Sequence, residues 1–484
     1  MAENKHTLSD LYQMQSLSLD SKISMTRRRI QGWIDEFGED GVYVSFSGGK
    51  DSTVLLHLVR QDYPNIKAVF IDTGLEYPEI RQFVRTFSNV DILIPKMNFR
   101  QVIEKYGYPF ISKEVSETVD YARRYVKALE AWKKENEPIP ESKMPYDPQM
   151  ADLLGIERRA NKENPEYQNL KNGIMPKENV RYQILCGTFR HKEKGEQTDE
   201  ISKMYNKSKY KFFLDAPFEI SSMCCKVMKK QPIKEYAKKN NRKPITAQMA
   251  CESKLRTQHW IINGCNGFEM KSPISNPMAF WTEQDILQYI SANRELLIDW
   301  RIREIEKLHG CPISEIIDTK TGLPAFPVDS LTPIASVYGD IVVDYASCGQ
   351  IPGQIDFSDM GYLENERSLK TTGCSRTGCM FCGYGCHLEK SPNRFEKMKI
   401  THPKQYDYIM RGGHWRKYRI FNFKGEEISL RHCTHEQIER WAENNRENIR
   451  FKIEKEDFYL DGTGLGYKEV IDWINENGGM GILY

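Results

Sequence analysis

The feature that most constrains this chain is a run of glycines and hydroxyl residues set between a strand and a helix. Val42-Tyr43-Val44-Ser45-Phe46 is β-branched and aromatic, and predicts a strand. Ser47-Gly48-Gly49-Lys50-Asp51-Ser52 predicts a loop, and the segment from Ser52 to Arg60 a helix. Lys67 to Ile71 follows as a second buried strand. Strand, helix and strand at this spacing form a crossover between parallel strands, so the expected fold class is α/β with a parallel sheet. Two glycines allow a tight turn that aims N–H groups inward, and the following helix adds the positive end of its dipole. The result is a concave site for phosphate oxygens. Ser47 and Ser52 add hydroxyl donors, Lys50 a neutralising charge, and Asp51 a carboxylate suited to Mg²⁺. The loop departs from the Walker A pattern, because Gly49-Lys50 is followed by Asp rather than Ser or Thr.

Composition narrows the class. A chain of 484 residues predicts about three structural units. Sixty-nine Lys and Arg against 67 Asp and Glu leave a net charge of +2, which excludes a histone-like chain but not local basic faces. The first 20 residues are polar, and no stretch approaches ~18 uninterrupted apolar residues. A soluble, cytoplasmic protein without a membrane partner is expected. Twelve cysteines are too sparse for a secreted disulfide scaffold, so clustered ones point to metal or thiol chemistry.

Along the chain, residues 18 to 37 carry Ile23, Ile30, Ile34 and Phe37 at helical spacing and close an N-terminal helical segment, 1–40. A nucleotide-binding part spans 41–129. Residues 130–211 are rich in Lys, Glu, Asn and Pro and predict a charged insertion. The domain resumes over 212–347, where 280 to 290 reads as a helix N-capped by Thr282. A Gly- and Cys-rich segment covers 348–410, and a small α+β appendage 411–484.

The cysteines are unevenly spread. Cys224 and Cys225 are adjacent, and Cys374, Cys379, Cys382 and Cys386 share one short loop. Cys186, Cys251, Cys265, Cys311, Cys348 and Cys433 are singles, expected to pack as small hydrophobes. Three metal sites compete for the cluster. One is structural zinc, although its two C-x₂-C pairs normally stand further apart. The second is a [2Fe–2S] centre, matching the Cys374-x₄-Cys379-x₂-Cys382 spacing. The third is one [4Fe–4S] cluster joining the tandem pair to Cys379 and Cys382.

The hexapeptide resembles the loop of the PP-loop ATP pyrophosphatases, and FIDTGLEYPEIRQF (70 to 83) resembles the matching segment of the phosphoadenosine phosphosulfate (PAPS) reductase family. The resemblance covers roughly residues 20 to 125 and 212 to 410. It implies an adenine nucleotide, ATP or a sulfonucleotide, held with Mg²⁺ by Ser47 to Ser52. Asp72 and Thr73 would lie beside it at the carboxyl end of the second strand. A tandem Cys-Cys with a distant C-x₂-C is the ligand pattern of the cluster-bearing branch. By resemblance, Cys224, Cys225, Cys379 and Cys382 would hold [4Fe–4S], with Zn²⁺ second. Cys374 and Cys386 are surplus to that pattern. Lys50, Asp51 and Arg256 (in ACESKLR) are the candidate catalytic residues, and Lys113 is a further candidate for a phosphate contact. One element of the reductases is absent: their Glu-Cys-Gly-x-His type motif supplies a nucleophile, and no Cys follows Cys433.

Two basic segments flank the proposed ligands. Residues 226 to 243 hold eight Lys or Arg and one acid, and 394 to 419 hold eight and two. A phosphate-rich partner is expected there. The expected function is ATP cleavage to AMP and pyrophosphate, adenylating an acceptor that then receives sulfur. That acceptor is either a nucleic acid or a small molecule, served by a sulfur-donor or reductant protein. Two alternatives stand beside it: a sulfonucleotide reductase releasing sulfite with an external thiol, and a non-catalytic subunit that senses nucleotide and cluster.

Overall fold

The computed structural model describes residues 4–135, 179–193, 196–344, 368–411, 414–422, 424–428, 435–445, 451–459 and 466–484. Most of the charged insertion, together with Cys348 and Cys433, lies outside the described residues. The chain divides into two compact units, Met1–Lys96 with Met228–Met380, and Met97–Val227 with Phe381–Tyr484.

The first unit carries a mixed α/β fold around a mainly parallel sheet. Helix α1 (Leu8–Gln15) is closed by a Thr7/Asp10 capping box. Helix α2 (Leu19–Phe37) is capped by Ser18 and buries Ile30, Trp33 and Ile34, three and four residues apart on one face. Strands β1 (Val42–Ser45), β2 (Ala68–Ile71) and β3 (Val90–Leu93) alternate with helices α3 (Lys50–Asp62) and α4 (Pro78–Val84). Three later strands, β4 (Lys243–Ile245), β5 (Asn266–Gly267) and β6 (Ile274–Ser275), complete the sheet in the order β3-β2-β1-β4-β6-β5. Only the β5–β6 pair is antiparallel. Val42, Tyr43 and Val44 are all buried, as expected of a central parallel strand covered on both faces. Val42 and Val44 share one apolar core with Val54, Leu55, Leu58 and Val59 of α3, while Tyr43 packs with Val69 and Tyr236.

Two buried ion pairs tie distant helices onto this core. Lys22 of α2 reaches Asp285 at 2.7 Å, at the start of the helix Glu283–Ala292 that Thr282 caps as expected. Arg60 at the end of α3 reaches Glu304 at 2.7 Å. Glu304 also accepts the Ser88 hydroxyl at 2.6 Å, so the buried carboxylate is well solvated by protein donors.

The second unit is held by aromatic packing. Strand Phe110–Ile111 runs parallel to Gly383–Tyr384, and a Cβ at Gly383 would stand 2.6 Å from the Phe110 ring, so only glycine fits there. Tyr467 is fully buried against Phe110, Tyr108 and Phe395, and its hydroxyl donates to the Phe381 carbonyl at 2.6 Å. Long helix Lys113–Glu135, which opens on Lys113, and helix Tyr467–Gly478 belong to this unit, as does the antiparallel pair His414–Asn422 and Phe451–Tyr459. Among the described residues no helix is long and apolar enough to cross a membrane.

Candidate nucleotide site and thiol cluster

The loop between β1 and α3 takes its shape from Gly48. Its φ of +72° lies in the left-handed region, and a Cβ there would stand 2.6 Å from Val84 and 2.9 Å from Ile80 of α4. Glycine therefore meets two demands at once, backbone conformation and space. Ser47 and Ser52 face each other across the turn, with hydroxyl oxygens 3.0 Å apart. The Ser52 hydroxyl donates to the Gly49 carbonyl at 2.9 Å. The loop is thus braced from within, and α3 begins at Lys50 with its dipole aimed at it.

Beside this loop lies a cavity of about 270 Å³. Ser47 lines it together with Phe70, Glu76, Lys229, Lys230 and Thr377. It opens at the carboxyl ends of β1 and β2, where open α/β sheets bind ligands.

Charged groups crowd the same end of α3. The Lys50 ammonium is 3.0 Å from Glu283 and 3.5 Å from Asp51, and it donates to the Ser375 carbonyl at 3.1 Å. Burial works against its charge, but Asp51 and Glu283 outweigh this and hold its pKa above the ordinary value. The Asp51 carboxyl is pushed up by burial against the pull of Lys50. Its buried Oδ1 has no hydrogen-bond partner among the described residues. The Lys50 ammonium, 3.5 Å away, is its ion-pair partner; Mg²⁺ typically takes one or two carboxylates with phosphates and waters. In donor chemistry, the Asp51 carboxylate suits a magnesium ion.

Arg256 stands in the same field. Burial and the neighbouring Arg376 charge lower its pKa, while Asp51 opposes them. Arg256 pairs with Glu252, which also takes Arg376 at 2.6 Å. Asp72 and Thr73 are placed at the end of β2 but are already engaged. Arg81 holds Asp72 at 2.9 Å, and the Thr73 hydroxyl donates to Glu76 at 2.8 Å.

Several of these partners escape a reading of the sequence. Arg376 and Thr377 carry a signal, since they lie between Cys374 and Cys379 of the cysteine-rich loop. Glu252, Glu283 and Tyr338, whose hydroxyl accepts the Lys50 N–H, carry none, because long-range folding brings them there.

The cysteines divide between the units. Cys379 falls in the first, and Cys224, Cys225, Cys382 and Cys386 in the second. Cys224 and Cys225 have sulfurs 4.0 Å apart on the short helix Met223–Cys225. Burial drives the Tyr384 phenol far up, and the Cys224, Cys225 and Cys382 thiols in its surroundings add to that shift. Cys386 is buried and donates to the Gly383 carbonyl at 2.9 Å. Burial pushes its thiol up to about 12. Such a thiol is a poor nucleophile while protonated. Thiols against buried aromatics suit an iron–sulfur cluster in donor chemistry. Among the described residues, however, no three Cys, His, Asp or Glu side chains converge on a point that could hold one metal ion.

Comparison with known proteins bears on the loop end of the chain. Residues 41–138 match the family model of the phosphoadenosine phosphosulfate reductase domain. An uncharacterized protein of Methanocaldococcus jannaschii, MJ0973, is 38% identical over 72 residues, which are 14% of this chain and 18% of that protein. The chain thus spans under a fifth of the length of that curated relative. The matched part is PAPS reductase-like and of the PP-loop type, and supports an enzymatic, sulfonucleotide-related function at that level.

Proposed function

We propose that the protein binds an adenine nucleotide in the cavity beside the Ser47–Ser52 loop and uses it to adenylate an acceptor oxygen for replacement by sulfur. The observation that carries this reading is the Gly48-shaped loop, whose Ser47 lines the cavity while Lys50 and Asp51 open the helix that follows it. Backbone N–H groups and the Ser47 and Ser52 hydroxyls would orient the phosphates, and Lys50 would neutralise them. Asp51 would hold Mg²⁺, and Arg256 would stabilise charge on the departing phosphates. The acceptor oxygen attacks the α-phosphorus and the bond to the bridging oxygen breaks, so pyrophosphate leaves with the electron pair. AMP on the acceptor is a far better leaving group than hydroxide, and a sulfur nucleophile can then displace it.

By the tandem Cys-Cys and C-x₂-C sequence pattern alone, Cys224, Cys225, Cys379 and Cys382 would hold a [4Fe–4S] cluster. When bound, such a cluster supplies redox chemistry and a site for sulfur. The match to the reductase domain favours a second reading, in which a preformed sulfonucleotide is reduced to sulfite by an external thiol.

Anaerobically prepared protein with Mg²⁺, ATP, candidate acceptors and sulfide as sulfur nucleophile should release AMP and pyrophosphate in equal amounts. Sulfite formed from PAPS without ATP would instead establish the reductase. Tight nucleotide binding with neither product would leave only a nucleotide-sensing subunit.

A further inference from the structure

We infer that helix Gln231–Asn240 is the docking strip for a single-stranded nucleic acid whose end reaches the cavity beside the PP-loop. The inference rests on the reading of that cavity as the nucleotide site. Lys230, Lys234 and Lys238 recur every fourth residue and form one row, its members about 6 Å apart along the axis. Lys239 flanks the row, and all four lysines are exposed. None of the four has an ion-pair or hydrogen-bond partner among the described residues. The one acid of the helix, Glu235, is already taken by Lys96 at 2.9 Å.

The opposite face is committed to the fold. Tyr236 is buried, packs edge-on against Tyr43 of β1 and donates to Asp91 of β3 at 2.8 Å. The helix is therefore fixed on the sheet by one side and cationic on the other. Stability does not account for the row. Like charges four residues apart repel and weaken a helix. The dipole offsets this only for Lys238 and Lys239 in the last turn. Lys230 and Lys234 gain nothing from the fold.

The row also leads somewhere. A π-helical turn, Lys226–Lys230, precedes the helix, and Lys229 and Lys230 at its end line the cavity with Ser47 and Thr377. Turns of this kind recur at functional sites. A polyanion laid along Lys238, Lys234 and Lys230 would run into the place where an activated phosphate is presented. A cavity of about 270 Å³ admits one strand end and no duplex. Lysines facing a backbone contact phosphates, which position a strand without reading its sequence, so RNA and DNA should bind alike.

The test is fluorescence anisotropy of the full-length protein with a labelled oligonucleotide of about 20 nucleotides, longer than the roughly 4–16 that one single-strand-binding fold covers, titrated over a range of KCl. Four phosphate contacts contribute about −2.8 to the slope of log affinity against log salt, at about −0.7 per contact for single strands. Lys234→Gln alone should make the slope shallower by about 0.7, and the Lys234→Gln/Lys238→Gln/Lys239→Gln variant by about 2. Unchanged slopes in both variants would overturn the proposal. So would polyglutamate of equal charge displacing the oligonucleotide as well as unlabelled nucleic acid does, because the strip would then serve an acidic protein. Binding is read without turnover. Absence of AMP with the slopes as expected would remove the adenylation and keep the strip; AMP release with unchanged slopes would do the reverse.

Discussion

The hydroxyl of Tyr338 accepts the backbone N–H of Lys50 at 3.1 Å and shares a hydrogen bond of 2.6 Å with Thr377 Oγ1. It occupies the first N–H of α3, one of the donors that a helix start offers to an anion. A phosphate oxygen would compete with a phenol for that donor. Tyr338→Phe should therefore tighten Mg²⁺-ATP binding about fivefold, the equivalent of one net hydrogen bond of about 1 kcal/mol. Calorimetric titration measures this. Weaker binding in the variant would mean that the phenol is part of the phosphate cradle.

Gly48 tests the loop itself. Alanine there meets both a positive φ and Val84 at 2.6 Å. Gly48→Ala should cost about 1–3 kcal/mol in stability and abolish nucleotide binding. Gly49 has a φ of −74° and would place a Cβ 3.2 Å from the Tyr338 hydroxyl, so Gly49→Ala should be milder on both counts. Thermal unfolding with and without nucleotide separates the two effects.

His57 makes the first unit acid-sensitive. It lies buried on α3, bonded to the Tyr289 hydroxyl at 2.9 Å and packed against Trp300. Burial lowers its pKa to about 4, and the positive charges of Arg303 and Arg27 push the same way. The unfolded chain binds the proton more readily, with a pKa near 6.5. The stability that neutral His57 contributes is therefore present above about pH 6.5 and is lost as pH falls toward 4, by about 3 kcal/mol in all. Urea midpoints measured from pH 7 to pH 4 should fall, and fall less steeply in His57→Gln. Parallel curves would show that other groups set the acid limit.

What the sequence made legible was local. The strand, loop and helix around Ser47 and the cap at Thr282 each depend on neighbours within a few residues. The missing parts are tertiary. Tyr338 lies 288 residues from Lys50, and no pattern around it announces the contact. Asp72 and Thr73 follow directly on β2; the Thr73–Glu76 bond is local, but the capture of Asp72 by Arg81 depends on how α4 packs. Strands β5 and β6 are two residues each, too short for any alternation to show. The six clustered cysteines stood out as a group, yet spacing alone could not say that Cys386 would be buried and bonded to Gly383.

The place of β4 in the sheet has a consequence for synthesis. Strand β1 emerges from the ribosome roughly 200 residues before β4, its neighbour on that side. At about 5–20 residues per second, its apolar edge stays unpaired for on the order of 10–40 s. An open edge carrying Val42, Tyr43 and Val44 is a template for mispairing with other chains. During that interval chaperone cover would protect the edge, and the yield of folded protein should respond to it more sharply than the finished stability would indicate.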